Sequence, residues 1–509
     1  MFSLLFERHP DTRELFGAYS FNQQKQMVHR MLTSVLASLD GEPWLPDDLE
    51  SLGATHQAYG VTAAMYAQVN DCFIDAVAAV EGGGWTDDLD AMWRSHLTRI
   101  GELMHPTADY ASYDLLDLDL HTGDPWDFYQ WLRDEMPLYW DPTNEIWAVS
   151  RYEDVVFVSR RTDLFCSGHG VVPTMSLDIW PDEAMINLDG TAHTCQRGLV
   201  AKGFIPKRIA AMESEIREIA NRLIDRVETK GEFDLVKDFS RPLPMRIIAG
   251  MLGYPEDKID QVLDWTDAYC MGGCGPAYVD DDVVEAFGNF MDFHEELLAE
   301  KKKCPGDDLL NTWMKAELDG KRLSEEKLMY EHNLLLVGGS ETTRSAIAIG
   351  MQALMEHPDQ MAWLKANIND PEILATAIEE MIRWSCPFVR MARTATRDVE
   401  MHGKIIEKGQ QICVLYPAAN RDPRAFVDPD RFDIRRDPEN AHLSFGIGKH
   451  FCLGASLARL ETQIAVEVLL KRLPVLAMKS GRPPVRARTS FVRSLQSLPV
   501  EFERAVVAG

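Results

Sequence analysis

The chain lacks any C-x-x-C pair, although it holds nine cysteines at positions 72, 166, 195, 270, 274, 304, 386, 413 and 452. Scattered and odd in number, they argue against a disulfide framework or a zinc site and for a reducing compartment. Basic residues are also scarce: 52 Lys and Arg stand against 80 Asp and Glu, a formal charge of −28. Phosphate binding needs basic clusters, so nucleic acid is not an expected partner. The acidity is read as a solubility device. The N-terminal stretch "MFSLLFERHPDTRELF" carries charges throughout. It offers no apolar run for a signal peptide or a spanning helix, which leaves a cytoplasmic protein without membrane contact as the expectation. Internal repeats and low-complexity tracts are missing too.

What the chain has is length and apolar material. Its 509 residues, 46% of them apolar, suffice for two domains or one large one. Helical periodicity dominates. Asp47 to Gly60 reads as a capped helix with Leu49, Leu52 and His56 on one face. Thr62 caps a second, carrying Tyr66, Val69, Phe73, Val77 and Val80, and "GGG" at 82–84 stops it. Thr86 opens a third with Leu89, Trp93, Leu97 and Ile100. Residues 104–119 lose the period, which places a domain boundary there. Beyond it, 145–158 alternates as short strands and 398–416 reads as a hairpin turning at Gly403.

One helix is expected from Ser324, its N-cap, to His357, where Pro358 ends it. Its middle holds "VGGSETT", 337–343. Two interior glycines cost roughly 1 kcal/mol each relative to alanine. They mark either tight helix packing or a local opening where a flat or small molecule approaches the backbone.

"FGIGKHFCLG", 445–454, spends three glycines around one cysteine. The apolar periodicity of 453–468 starts a helix just after Cys452. Free amides at a helix N-terminus stabilise a thiolate, so a lowered thiol pKa is expected. A buried structural cysteine needs none of this. The loop looks built for a metal–thiolate bond.

Phe445, Gly448, His450, Cys452 and Gly454 resemble the haem-thiolate loop of the cytochromes P-450, F-x-x-G-x-x-x-C-x-G. Three further elements stand in family order. "EEMIRW" gives E-x-x-R as Glu380 and Arg383; "DPDRF" resembles the P-E-R-F element, with Arg431 completing a Glu-Arg-Arg network; "GGSETT" resembles the oxygen-binding helix. The resemblance covers about residues 113–505 and implies a mainly α fold, a large helical domain with small β-sheets. It implies haem b on Cys452, whose thiolate pushes electron density through iron. Glu341 and Thr342 then form the acid–alcohol pair that delivers protons, the alternative being that Thr342 merely back-bonds to a carbonyl of the previous turn, and Gly338 gives the haem room. His193 and Arg197, four apart on a helix, together with Arg393 and His450, would hold the propionates. Phe388, Val389 and Met391 indicate an apolar pocket.

Residues 1–105 resemble bacterial globins and the globin part of flavohaemoglobins, through "LFERHPDTRELF", ending in Phe16, and "LGATHQAYGVTAAMY". The resemblance implies an all-α globin-like domain without the family's first helix, followed by a linker at 106–112 and the haem-thiolate domain at 113–509. His56 is either the axial ligand of a second haem, oriented by Tyr66 with Gln24 as distal residue, or a solvated helix histidine. Phe2 falls where a distal tyrosine is expected.

The expected activity is therefore a haem-thiolate monooxygenase that uses O₂ to hydroxylate an apolar sterol, terpenoid or fatty acid. No flavin or iron–sulfur pattern is present, so electrons would come from a separate ferredoxin and an NAD(P)H-dependent ferredoxin reductase. Lys449, Arg435, Arg436 and Arg459 form either a docking patch for that donor or a solvated surface. Three other readings are globin-coupled gas chemistry (nitric oxide detoxification, O₂ supply or sensing), a haem-thiolate dehydratase or lyase, and a first domain that is purely an interaction module.

Overall fold

The computed structural model describes residues 2–9, 63–104 and 113–503, except 176, 178–181, 319, 438 and 474. Two compact units are present, Met1–Ala111 and Ser112–Gly509. His56, Gln24 and Phe16 lie outside the described residues, as does the helix expected from Asp47 to Gly60.

The first unit contributes α1 (Phe2–Arg8), α2 (Ala63–Glu81) and α3 (Asp87–Met104). Thr86 opens α3 by accepting a hydrogen bond from the Leu89 N–H at 3.3 Å. Phe73 of α2 meets Trp93 of α3 with ring centroids 5.7 Å apart. Cys72, Ile74 and Leu97 are buried as well, whereas Val80 is 88% exposed. The apolar face of α2 thus ends a turn before the glycines do. Burial pushes the Tyr66 phenol up to about 12.

In the second unit β1 (Leu138–Asp141) and β2 (Ile146–Val149) form a hairpin. The run after it is α4 (Tyr152–Arg160) and not a further strand. Glu153 and Asp154 favour its N-terminus, and Val155 and Val158 are buried at helical spacing. The valines of this run mimic strand alternation in sequence. Then come β3 (Phe165–Cys166), α5 (Gly190–Val200), α6 (Pro242–Leu252) and α7 (Ile259–Tyr269).

The long helix is α8 (Glu325–Glu356), 32 residues, with Ser324 accepting from the Lys327 N–H. It is followed by α9 (Pro371–Ser385), which Asp370 caps through the Glu372 and Ile373 amides. The expected hairpin 398–416 divides. β4 (Arg390–Ala395) precedes it; β5 (Val399–Met401) and β6 (Lys404–Ile406) turn at Gly403, φ +71°; β7 (Gln411–Leu415) leaves to join the main sheet. That sheet runs β1-β2-β7-β4-β3, with only β2 and β7 parallel. Ile412, Val414 and Leu415 of β7 are fully buried there, more than a two-stranded ribbon would cover. α10 (Ala455–Arg472) closes the helical layer, with Leu457, Ile464 and Val468 in the core. Among the described residues no helix is long and apolar enough to cross a membrane.

Candidate active site

The loop at 445–454 is shaped by backbone geometry. Gly446 and Gly448 sit at φ +64° and +84°, where side chains are strained. A Cβ on Gly448 would also lie 2.8 Å from the Ser159 carbonyl oxygen of α4. The loop closes through Gly446 N–H to the Leu443 carbonyl, 2.8 Å, and Cys452 N–H to the Phe445 carbonyl, 2.9 Å. α10 starts three residues after the sulfur. Burial raises the Cys452 thiol above its ordinary value; the Gly454 and Ala455 amides and the Arg197 and Arg459 guanidiniums act against it without prevailing. The helix terminus alone therefore does not yield the lowered pKa expected from sequence. A coordinated cation would supply the rest.

Cys452 opens onto a cavity. Phe445, Gly454 and His450 share its wall, and α8 supplies Gly338, Gly339 and Thr342. Ile248, Leu335, Phe388 and Met391 add apolar wall, while Val389 is buried outside the lining. The two adjacent glycines in the middle of α8 serve different ends. A Cβ on Gly339 would lie 2.8 Å from Ile248, so it is required by packing against α6; one on Gly338 would meet nothing within 4 Å. The Thr342 hydroxyl donates to the Gly338 carbonyl at 2.6 Å.

Glu341 points elsewhere. It is buried against Arg344, which also reaches Asp267 of α7 at 2.9 Å. Asp267 is bound by Arg241 at 2.7 Å, and Arg241 by Asp264 at 2.6 Å, whose side chain is 73% exposed. Burial pushes the Glu341 carboxyl up to about 8, against the pull of Arg344 and with the neighbouring Asp267 adding to the rise. The acid and the alcohol thus face opposite ways, one to a charged file ending in solvent and the other to the cavity.

Arg197, Arg393 and His450 line the cavity beside Cys452. The His193 and His450 rings stand 4.2 Å apart, and His450 Nε2 is 3.2 Å from the Ser167 hydroxyl. Burial and the surrounding cations push His450 down to about 3, so its ring is neutral here. Arg197 donates to the Phe451 carbonyl at 2.6 Å and Arg393 to the Ala392 carbonyl at 2.7 Å. Neither has a carboxylate partner among the described residues, and His193 Nε2 is buried without any hydrogen bond. Unspent cations and an orphaned ring nitrogen around a cysteine suit a dianionic metal macrocycle. The residues present fit a haem.

Behind the loop, Glu380 and Arg383 form a fully buried bidentate pair at 2.7 and 2.9 Å. Their third partner is Arg436, whose Nε lies 3.1 Å from Glu380. This corrects the assignment to Arg431. The Arg431 side chain is 67% exposed, and only its carbonyl joins in, accepting from Arg436 at 2.6 Å. Arg383 also donates to the Asn420 carbonyl at 2.8 Å. The Asn420 side chain in turn holds the Leu443 N–H at 2.7 Å and the Ser444 hydroxyl at 2.9 Å, which ties the network to the cysteine loop. Of the expected basic patch, Arg436 is spent here and Arg459 on Glu379, at 2.6 and 2.9 Å. Lys449 and Arg435 remain exposed.

Sequence reasoning missed Asn420 and Ser444, whose roles are visible only in the fold. It also missed Glu331 and Glu461, two buried carboxylates on the cavity wall. A signal existed for both: each is an acid placed on the apolar face of its helix.

Residues 277–503 match the family model Cytochrome P-450, and residues 1–104 match Globin. A steroid C26-monooxygenase of Mycobacterium tuberculosis is 37% identical over 377 residues, 74% of this chain and 92% of that protein. A methyl-branched lipid omega-hydroxylase of Mycobacterium bovis is 34% identical over 438 residues, 80% and 98% of the two chains. Among solved structures, a cytochrome P-450 of Chondromyces apiculatus superposes with TM-score 0.70 at 30% identity, covering 78% of this chain and 99% of its own. One from Bacillus megaterium in complex with testosterone gives 0.66 at 31%, covering 75% and 99%. The chain therefore belongs to the cytochrome P-450 family of monooxygenases, joined here to a globin-family segment.

Proposed function

We propose that this monooxygenase hydroxylates an apolar small molecule of sterol, terpenoid or fatty-acid type, with electrons from a separate ferredoxin and its NAD(P)H-dependent reductase. The observation that carries the reading is a single one: the Cys452 sulfur and Thr342 line the same cavity, whose other walls are mostly apolar. When bound, haem b supplies the activation of O₂, and one C–H bond, O₂, two electrons and two protons become an alcohol and a water. Cys452 is its ligand. Arg197, Arg393, His193 and His450 hold its propionates by charge-assisted and neutral hydrogen bonds.

The ion-paired file from the exposed Asp264 through Arg241, Asp267 and Arg344 holds Glu341 beside the helix turn of Thr342. Its guanidiniums stay charged and position the carboxyl groups, and Glu341 is the proton donor at its inner end. Glu341 holds a proton at neutral pH because burial disfavours its charge. Thr342 orients the last donor beside Gly338. Ile248, Leu335, Phe388 and Met391 exclude water and bind the substrate body by apolar contact. The steroid and lipid hydroxylases among the relatives, and the testosterone-bound neighbour, support the substrate class.

Binding titrations of the holoprotein with sterols, terpenoids and fatty acids test it. A perturbed haem spectrum is expected with at least one of these classes, and none with any of them would refute it.

The globin match favours a second function, gas binding by residues 1–104 with His56 as axial ligand. Two haems per chain, falling to one in His56→Ala, support that reading. One haem per chain in both proteins excludes it.

A further inference from the structure

Glu331 has no part in the chemistry above, yet it lines the cavity at 1% exposure. Its Oε1 accepts two hydrogen bonds, from the Met185 N–H at 2.6 Å and from Gln196 Nε2 at 2.7 Å. Its Oε2 is buried without a partner. Two donors pin one oxygen and leave the other unsatisfied, which for a buried carboxyl is an unfavourable arrangement unless something completes it.

The position is specific. Glu331 and Thr342 stand eleven residues apart on α8, about three turns, so both lie on one face and are separated by roughly 17 Å along the helix axis. Between them that face presents Leu334, Leu335 and Gly338, all on the cavity wall. The cavity therefore has an oxidising end, an apolar middle and one polar anchor at the far end. The dimension suits a molecule as long as a sterol or an extended lipid chain.

We propose that the free Oε2 of Glu331 binds the hydroxyl group of an elongated apolar alcohol whose opposite end lies at Thr342. A hydroxyl both donates and accepts, so it pairs with Glu331 in either protonation state. Burial raises this carboxyl to about 7, with Gln196 and Met185 opposing the shift, so both states are populated near neutrality. An ammonium would require the ionised form that burial disfavours. The inference rests on the proposed apolar substrate and adds which end of it is held and by what.

The test is a set of optical binding titrations of the holoprotein with matched pairs, cholestanol against cholestane and hexadecanol against hexadecane. In the wild type the alcohol of at least one pair should bind about 10- to 100-fold tighter than its alkane, the worth of one hydrogen bond to a carboxyl group. Glu331→Gln keeps an acceptor for the Met185 amide and a polar group for the hydroxyl, so it should retain most of that ratio. Glu331→Leu should bring the ratio close to one. A purely structural role would weaken alcohol and alkane alike and leave the ratio intact, which overturns the proposal. So does a wild-type ratio near one, an arm that needs no variant to fold, or tighter binding of the corresponding amine. If the alkanes bind and the ratio is one, only the anchor fails. If no member of either pair binds, the apolar-substrate reading fails with it.

Discussion

The Arg436 Nε lies 3.1 Å from a Glu380 oxygen that Arg383 already holds at 2.7 Å, so two guanidiniums share one buried carboxylate. Asp433 adds its N–H to the other oxygen at 2.9 Å. Removing a partner from such a cluster leaves charge uncompensated. Arg436→Leu should destabilise the fold by about 3 kcal/mol or more. Arg431→Ala keeps the carbonyl that Arg436 uses and should change stability by about 0.5 kcal/mol or less. Denaturant unfolding of both variants, with retained haem measured alongside, separates them; equal losses would return Arg431 to the network.

Gly448 is under a double constraint, a positive φ and the Ser159 carbonyl where a Cβ would be. Gly448→Ala should cost about 1–3 kcal/mol and loosen the loop that carries Cys452. Gly338→Ala meets no atom within 4 Å and should fold normally. Thermal unfolding of the two variants checks the contrast.

Glu341 links pH to both stability and turnover. Its folded pKa, about 8, exceeds the ordinary 4.5, so the native state binds the extra proton between those values. Stability contributed by this group is thus greatest at low pH and is lost as pH rises through that window. The proton-donating form disappears above about pH 8. Product formed per electron consumed should fall there in the wild type. In Glu341→Gln it should be about 10²-fold lower and flat across that range. A wild-type profile that Gln does not alter would remove Glu341 from proton delivery.

Arg197 and Arg393 have no carboxylate partner among the described residues, and burial lowers the Arg197 pKa. Their charge is best used on a ligand. Arg197→Ala and Arg393→Ala should each lose haem faster to an acceptor globin, by about tenfold, the worth of one charge-assisted hydrogen bond. Unchanged loss rates would show that the propionates are held elsewhere.

Much of this was legible from residue order. Ser324 and Pro358 bracket α8 because caps and prolines act locally, and the cysteine loop was readable because its glycines are demanded by backbone angles. The misses share one cause, tertiary context. Tyr152–Arg160 is helical although its valines suggest a strand, because Val155 and Val158 are buried on one helix face. β7 abandons its local hairpin for a buried place between β2 and β4. Arg436 displaces Arg431 since which of two nearby arginines turns inward is decided by the carbonyls of Val427, Asp428 and Arg431 around it. Glu331 and Glu461 were on the page as acids among apolar neighbours, but their exposure to a cavity is a property of the assembled fold.

The most direct measurement is the spectrum of the dithionite-reduced protein under carbon monoxide, for the wild type and for Cys452→Ser. Thiolate ligation predicts the red-shifted Soret band peculiar to a cysteinate-bound haem in the wild type and its loss in the variant. A wild-type spectrum with only the imidazole-ligated band, or a thiolate band that survives in Cys452→Ser, would contradict it.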